Sequence, residues 1–220
     1  DYEIITPGQP QPVRRVTLLS NVGCPYAGNS AAALGVSDEG DAGVSKLGCS
    51  FCFMGGDYQR TPDDAVVAAL VRQAVHASQV PSIREFVLAD QYPYRFLAEL
   101  MYAAKEAGVP PSTWCFAGRC DAFIRQRPLV EAAISAAAEC GYVLDLYLSG
   151  FESFCDADLE LYTKGITVDE QVEAVDVMRQ LAQENPGVFE YKKSRAHSLI
   201  LWHPWTTPER LLESALTMRQ

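Results

Sequence analysis

The feature that most constrains the fold is a strict alternation of strand-like and helix-like segments. Apolar runs of strand length lie at residues 13–24, 84–90, 112–121, 142–153 and 196–205. Helical spacing of apolar residues follows at 61–78, 94–108, 128–141 and 167–181, and a fifth helix opens at Thr207. Such strand-then-helix units predict a parallel sheet with right-handed crossovers, either an open doubly wound sheet or an incomplete (β/α) barrel.

The helix boundaries carry recognisable start and stop signals. Thr167 and Glu170 stand at the spacing of a capping box, in which each side chain bonds the other residue's backbone N–H. Gly108 closes the second helical pattern, as glycine does where a helix ends in a left-handed conformation. No linker divides the chain, so we expect residues 1–220 to form a single domain with a long Gly-rich loop at about residues 25–48.

Charge and cysteine content narrow the functional classes. The chain has 18 Lys plus Arg against 28 Asp plus Glu, a net charge of −10, and no basic cluster. Nucleic acid is therefore not an expected partner. Without a long apolar run or a signal-peptide pattern, no membrane association is expected. An odd number of cysteines, 7, argues against a disulfide framework and for a reducing, cytoplasmic setting.

Polar and unusual residues follow each predicted strand. In a parallel sheet, the loops after the strands meet on one functional face. The segments that this rule brings together are Cys24, Asp90-Gln91-Tyr92-Pro93, Arg119-Cys120-Asp121, Gly150 to Ser153 and His203-Pro204-Trp205.

Cys49 and Cys52 form a C-x-x-C pair in a glycine-rich stretch. Alone, this spacing fits zinc, a redox disulfide or an iron–sulfur cluster. A zinc ribbon needs a second pair, and the nearest, Cys115 and Cys120, has one member inside a predicted strand. A thioredoxin-type motif lies at the start of a helix, whereas the helix predicted after Cys52 begins only at Thr61.

A third thiolate is available from Cys24, at the end of the first predicted strand. Folded back over its loop, Cys24 joins Cys49 and Cys52. Three thiolates on a four-iron cluster leave one iron without a protein ligand, where a small molecule can bind. Cys115 and Cys140 are expected to be core thiols. Cys120 and Cys155 either pack as plain thiols, ligate a second cluster or donate a hydrogen atom.

With these cysteines the chain resembles the radical S-adenosylmethionine (radical SAM) enzymes. Their motif is C-x3-C-x2-C with an aromatic residue before the last cysteine; here "CSFC" supplies the final part with Phe51, and 24 residues separate Cys24 from Cys49. Residues 150–181 and 199–214 are similar to the fourth- and fifth-strand segments of the branch containing methylthiotransferases and cobalamin-dependent members. The resemblance covers about residues 13–216.

The resemblance implies an incomplete (β/α) barrel, a partial TIM barrel of about five units. It also implies a [4Fe–4S] cluster held by the three cysteines, and S-adenosyl-L-methionine as the second cofactor. In such enzymes reduction of the bound S-adenosylmethionine gives a 5′-deoxyadenosyl radical that abstracts hydrogen from substrate. An electron donor of flavodoxin or ferredoxin type and a small-molecule or peptide substrate are the implied partners, and the enzyme would be an oxidoreductase or a transferase.

The resemblance further assigns cofactor contacts. Asp90 would hold the methionine amine and Arg119 the carboxylate, by bidentate geometry. The ribose hydroxyls would contact Glu152 and Ser153. Backbone around Phe51 would face the adenine. His203 would contact the adenosyl group or close the barrel wall.

Two other hypotheses stay open. The acidic and basic residues of this set could instead be structural ion pairs between loop ends. A zinc-stabilised α/β binding module without catalysis is the alternative function, and a member that binds the cluster without turnover is a third.

Overall fold

The computed structural model describes residues 3–6, 9–20, 49–52, 61–90, 92–192 and 197–219, with residues 3–6 and 9–12 described by their backbone alone. Cys24, Gln91 and the predicted loop at 25–48 lie outside the described residues. The strands are β1 Glu3–Thr6, β2 Gln9–Pro12, β3 Arg15–Leu19, β4 Glu85–Ala89, β5 Thr113–Arg119, β6 Val143–Glu152, β7 Phe189–Glu190 and β8 His197–Leu199.

Helices alternate with the strands from β3 onward. They are α1 Asp63–Ser78, α2 Leu97–Glu106, α3 Ala122–Arg125, α4 Arg127–Cys140, α5 Asp156–Leu161, α6 Val168–Glu184 and α7 Pro208–Thr217, with a 3-10 turn at Pro93–Arg95. The predicted capping box is confirmed, because the Thr167 side chain accepts from the Glu170 N–H while the Glu170 side chain accepts from the Thr167 N–H.

The main sheet is parallel and its strands follow chain order, while β1 and β2 form a separate antiparallel pair. Strand β3 pairs with β4, β4 with β5, and β5 with β6. Two strands then pair with β6: β7 lies along the first residues of β6 and β8 along its last residues. With right-handed crossovers, chain order places successive helices on the same face of the sheet, whereas a doubly wound sheet reverses its order. The predicted α/β fold is confirmed, and its winding is that of an open, incomplete barrel.

The core lies between the sheet and these helices. Phe86, Trp114 and Leu144, one from each central strand, are at most 1% exposed and share one apolar cluster with helix residues such as Leu70 and Leu100. This layer fixes the register of the strands, since a shift by one residue would expose it.

Strand and helix bounds differ from prediction mainly near the end of the chain. The fifth strand was expected at 196–205, but β8 covers only His197–Leu199. A short strand fits this place, because β8 pairs with the last residues of β6 alone and Pro204 lacks an N–H for a ladder. The strands β1, β2 and β7 and the helices α3 and α5 were not predicted; at two to six residues each, they are too short for a periodicity to show.

Candidate functional site

A cavity of about 230 Å³ opens where β5, β6 and β8 end. The cysteine turn, the ends of these strands and the segment after α5 line it. The lining residues are Cys49, Phe51, Cys52, Ala117, Gly118, Arg119, Leu148, Gly150, Glu152, Lys164 and Ser198. The carboxyl ends of parallel strands are where barrel enzymes place their sites, so the position agrees with the predicted functional face.

Cys49 and Cys52 form the two ends of a tight turn. The Cys52 N–H donates to the Cys49 carbonyl at 2.9 Å, which brings the two residues to the same side of the loop. Cys49 is partly exposed and Cys52 exposed, and neither is in a disulfide. Ser50 holds the turn in place: its N–H donates to the Tyr162 carbonyl at 3.0 Å and its hydroxyl to the Leu161 carbonyl at 2.8 Å.

Phe51 packs at the rim of the cavity. Its ring meets the ring of Tyr162 edge-on at a centroid distance of 5.4 Å, and the Lys164 ammonium lies 5.7 Å from its centroid. An edge-to-face pair and a cation near the ring face are both favourable arrangements. The aromatic position between the cysteines therefore anchors the turn against the segment after α5.

Arg119 ends β5 and is buried at the back of the cysteine turn. Its Nε and Nη2 donate to the two carboxylate oxygens of Asp121 at 2.9 and 3.1 Å, and Nη2 also donates to the Lys164 carbonyl at 2.6 Å. Nη1 lies 3.6 Å from Cys49 Sγ. Arg119 lines the cavity, but three of these four contacts are hydrogen bonds to protein oxygens, so most of its donors do not face the cavity.

Glu152 ends β6 in a left-handed backbone conformation, with φ of 67°. One carboxylate oxygen pairs with the Lys164 ammonium and the other accepts from the Ser198 hydroxyl at 2.9 Å. Gly150 leaves room for this pair: a Cβ there would overlap Glu152 Oε1 and approach Lys164 Nζ to 3.1 Å. The cavity wall thus carries a buried ion pair with both charges matched.

Sequence reasoning did not single out Lys164 or Ser198 for the site. The only signal for Lys164 was the Lys-Gly pair inside the segment similar to the fourth-strand region of radical SAM enzymes. Ser198 carried no signal, because a serine in a short strand is common in any fold. Both line the cavity and contact Glu152, Lys164 through an ion pair and Ser198 through a hydrogen bond.

Asp90 lies at the end of β4 and is not among the residues that line the cavity. It is 4% exposed and accepts from the Ser20 hydroxyl at 2.6 Å and from the Tyr92 N–H at 2.7 Å. Burial raises the pKa of this carboxyl above its ordinary value, while the two donors pull the pKa down. Its predicted contact with the methionine amine stays a prediction.

Ser153 and His203 lie beside the cavity in a separate polar cluster around Asp158. The Ser153 hydroxyl lies 3.2 Å from one Asp158 oxygen, and His203 Nε2 lies 3.2 Å from the other, which also accepts from Arg210 at 3.0 Å. The His203 ring meets the Tyr162 ring at 5.4 Å. Neither predicted residue lines the cavity, and their cofactor contacts stay predictions.

The other cysteines that the structure describes, 115, 120, 140 and 155, are all buried. Burial raises the pKa of the Cys120 thiol to about 12 and also raises the pKa of Cys155, whose sulfur donates to Glu213 Oε2 at 3.2 Å. Both side chains are at most 1% exposed, and the two other roles expected for them, ligand of a second cluster or hydrogen donor, stay predictions.

The predicted three-cysteine centre reaches beyond the described residues. Cys49 and Cys52 lie together at the cavity, and the place of Cys24 is not described. Within the described ranges no group of three or more His, Cys, Asp or Glu side chains is placed to hold a metal ion. In that same part of the chain, the helices are too short or too polar to cross a bilayer.

The fold is similar to that of the cobalamin-dependent S-adenosylmethionine radical enzyme OxsB, solved in its apo, selenomethionine-labelled form. The similarity has a TM-score of 0.53 at 15% sequence identity and covers 94% of this chain. It covers 26% of the OxsB chain, so this chain spans about a quarter of that protein's length. No protein-family model and no curated protein sequence matches the chain. At this identity the similarity establishes a common fold.

Proposed function

We propose that the chain is a radical SAM enzyme that reductively cleaves S-adenosylmethionine at a [4Fe–4S] cluster. One observation carries the proposal: the Cys49-x-x-Cys52 turn lies over a cavity at the carboxyl ends of parallel strands, in a fold similar to that of a solved radical SAM enzyme. When bound, the two cofactors would supply a 5′-deoxyadenosyl radical for hydrogen abstraction from a small-molecule or peptide substrate.

The side chains at the cavity suit this cofactor pair. Cys49 and Cys52 are accessible thiols on one side of a tight turn, the donor type that iron–sulfur clusters use, with Cys24 proposed as the third ligand. Glu152 and Ser198 present carboxylate and hydroxyl oxygens that suit ribose hydroxyls. Lys164 offers an ammonium beside them. These groups would bind and orient the nucleoside part of the cofactor.

Cluster content tests the proposal directly. Protein purified and reconstituted without oxygen should contain about four iron and four sulfide per chain, the stoichiometry of one cubane cluster, with the broad visible absorption of such a cluster. Single Cys24→Ala, Cys49→Ala and Cys52→Ala variants should each lose the iron. The matched control is Cys140→Ala, since Cys140 is buried in α4 outside the cavity lining.

Two outcomes would count against the proposal. One tightly bound zinc and no sulfide would favour the zinc-stabilised binding module. Retention of iron by the Cys24 variant would remove Cys24 from the ligand set.

Turnover is tested separately. After dithionite reduction, the loaded protein with S-adenosylmethionine should form 5′-deoxyadenosine, and the Cys52 variant should not. An intact cluster without this product would identify a member that binds the cluster and does no chemistry. The flavodoxin- or ferredoxin-type donor is proposed as the cellular source of the electron that dithionite replaces here.

A further inference from the structure

A buried guanidinium contacts the sulfur of Cys49. Arg119 Nη1 lies 3.6 Å from Cys49 Sγ, a hydrogen-bonding distance for a sulfur acceptor. Arg119 is 7% exposed, so little water competes for this donor. A hydrogen bond from a charged donor in a site with little water is stronger than the same bond on the surface.

The position of Nη1 is fixed by the other bonds of the same guanidinium. Asp121 accepts from Nε and Nη2, and the Lys164 carbonyl accepts from Nη2. Because the guanidinium is planar and its donors keep fixed angles, these bonds determine where Nη1 points. The contact with Cys49 is therefore built into the end of β5 rather than being one of many rotamers.

The charges around Arg119 cancel. Asp121 pairs with both Arg119 and Arg125, and Arg125 pairs with Glu170 at 2.7 Å. Two guanidiniums and two carboxylates in one chain of contacts leave no net charge. The contact through which Arg119 meets the cysteine turn is the Nη1 donor, 3.6 Å from Cys49 Sγ.

We infer that Arg119 is a positioning residue that donates a hydrogen bond to the Cys49 sulfur and thereby raises the reduction potential of the cluster bound there. The inference rests on the proposed function. Hydrogen bonds to cluster sulfur stabilise the reduced form, which carries one more negative charge. The reaction concerned is the uptake of one electron by the oxidised cluster, from dithionite in the test.

The test is a dithionite titration with redox mediators, followed by electron paramagnetic resonance of the reduced cluster. At a fixed poise near the midpoint, Arg119→Gln should lower the ratio of reduced to oxidised cluster about tenfold relative to wild type. That ratio corresponds to about 1.4 kcal/mol and about 59 mV for a one-electron couple. Arg125→Gln is the matched control, because it removes one guanidinium from Asp121 without touching Cys49.

The outcomes separate the inference from the function. An unchanged midpoint in a loaded Arg119→Gln variant overturns the inference, as does an equal shift in Arg125→Gln, which would indicate a field effect. If Arg119→Gln binds no iron, a second experiment uses wild-type protein in which the arginines are labelled with 15N. Pulsed electron paramagnetic resonance of its reduced cluster should show a coupling to a guanidinium 15N, and absence of that coupling overturns the inference. A wild-type chain that binds no cluster refutes the proposed function itself.

Discussion

Replacing Gly118 by alanine should destabilise the protein by forcing a buried ring aside. A Cβ at Gly118 would approach Tyr94 Cζ to 2.7 Å and Cε2 to 2.8 Å, and would overlap its hydroxyl as well. Ordinary contact begins at 3.4 Å, so the two ring carbons must retreat by about 0.6–0.7 Å, and the hydroxyl oxygen, which is nearer still, must move farther. Tyr94 is 1% exposed and its ring lies 5.9 Å, centroid to centroid, from both Phe116 and Phe123, which leaves it little room to move.

The size of the effect follows from these contacts. Overpacking a well-filled core costs about 1–3 kcal/mol, and the hydrogen bond from the Tyr94 hydroxyl to the Arg119 carbonyl, 3.1 Å long, would be lost with the shift. A bond of that kind contributes about 1 kcal/mol. The sum, about 2–4 kcal/mol, should lower Tm by roughly 5–15 °C in a chain of this length.

Urea unfolding and thermal scans of Gly118→Ala measure this cost. Gly108→Ala is the control, since its φ is 79° but no heavy atom lies within 4 Å of the added Cβ, so it reports backbone strain alone. Tyr94→Leu removes the two ring carbons and the hydroxyl oxygen that clash. The combined variant should therefore be little less stable than Tyr94→Leu alone. Gly118 has no positive φ, so its loss should come from the clash alone, and additive losses in the combined variant or an unchanged stability of Gly118→Ala would refute the packing argument.

Three further predictions follow from single contacts. Lys164→Met should lower the free energy of unfolding by about 3 kcal/mol because it leaves the buried Glu152 carboxylate without its cation. Adding Glu152→Gln should restore much of that free energy, measured by urea unfolding, and no recovery would contradict the ion-pair reasoning. Burial raises the pKa of Asp90 above 3.8, so the folded state binds this proton more tightly and the contribution of Asp90 to stability falls as pH rises through that raised pKa. Stability of Asp90→Asn relative to wild type should then increase from acid to neutral pH, and a constant difference would contradict it. Thr167→Ala should lower the free energy of unfolding by about 1 kcal/mol, because the Thr167 hydroxyl no longer accepts a hydrogen bond from the Glu170 N–H. An unchanged urea midpoint would show that the cap contributes nothing to stability.

The repeating part of the fold was predictable because it rests on local physics. The helix expected to run to about Ser78 ends at Ser78, and the run at 142–153 became β6 at Val143–Glu152. The helix α1 buries apolar residues at helical spacing, and β6 buries successive residues, so the sequence shows a periodicity for the first and an apolar run for the second. The strand β7, with two residues, buries too little of itself to leave such a pattern.

The candidate site was predictable only where a residue type and its spacing are typical of one kind of site. Two spaced cysteines with an aromatic between them were singled out from the sequence as candidate site residues, and they lie at the cavity. Arg119 was expected to hold the methionine carboxylate; it lines the cavity, most of its donors meet protein oxygens, and the contact with the ligand stays a prediction. A guanidinium looks the same in sequence whether its partner is a ligand or Asp121, since the partner is set by tertiary geometry.

The connection between α5 and α6 organises the site through its backbone. Carbonyls at residues 161 and 162 accept from Ser50 of the cysteine turn, and the Lys164 carbonyl accepts from Arg119 at the end of β5. The Lys164 side chain pairs with Glu152 at the end of β6. One short stretch therefore joins the cysteine turn to two strand ends. Three of these four bonds are made by carbonyl groups, which every residue has, so residue types could point only to the Lys164 side chain.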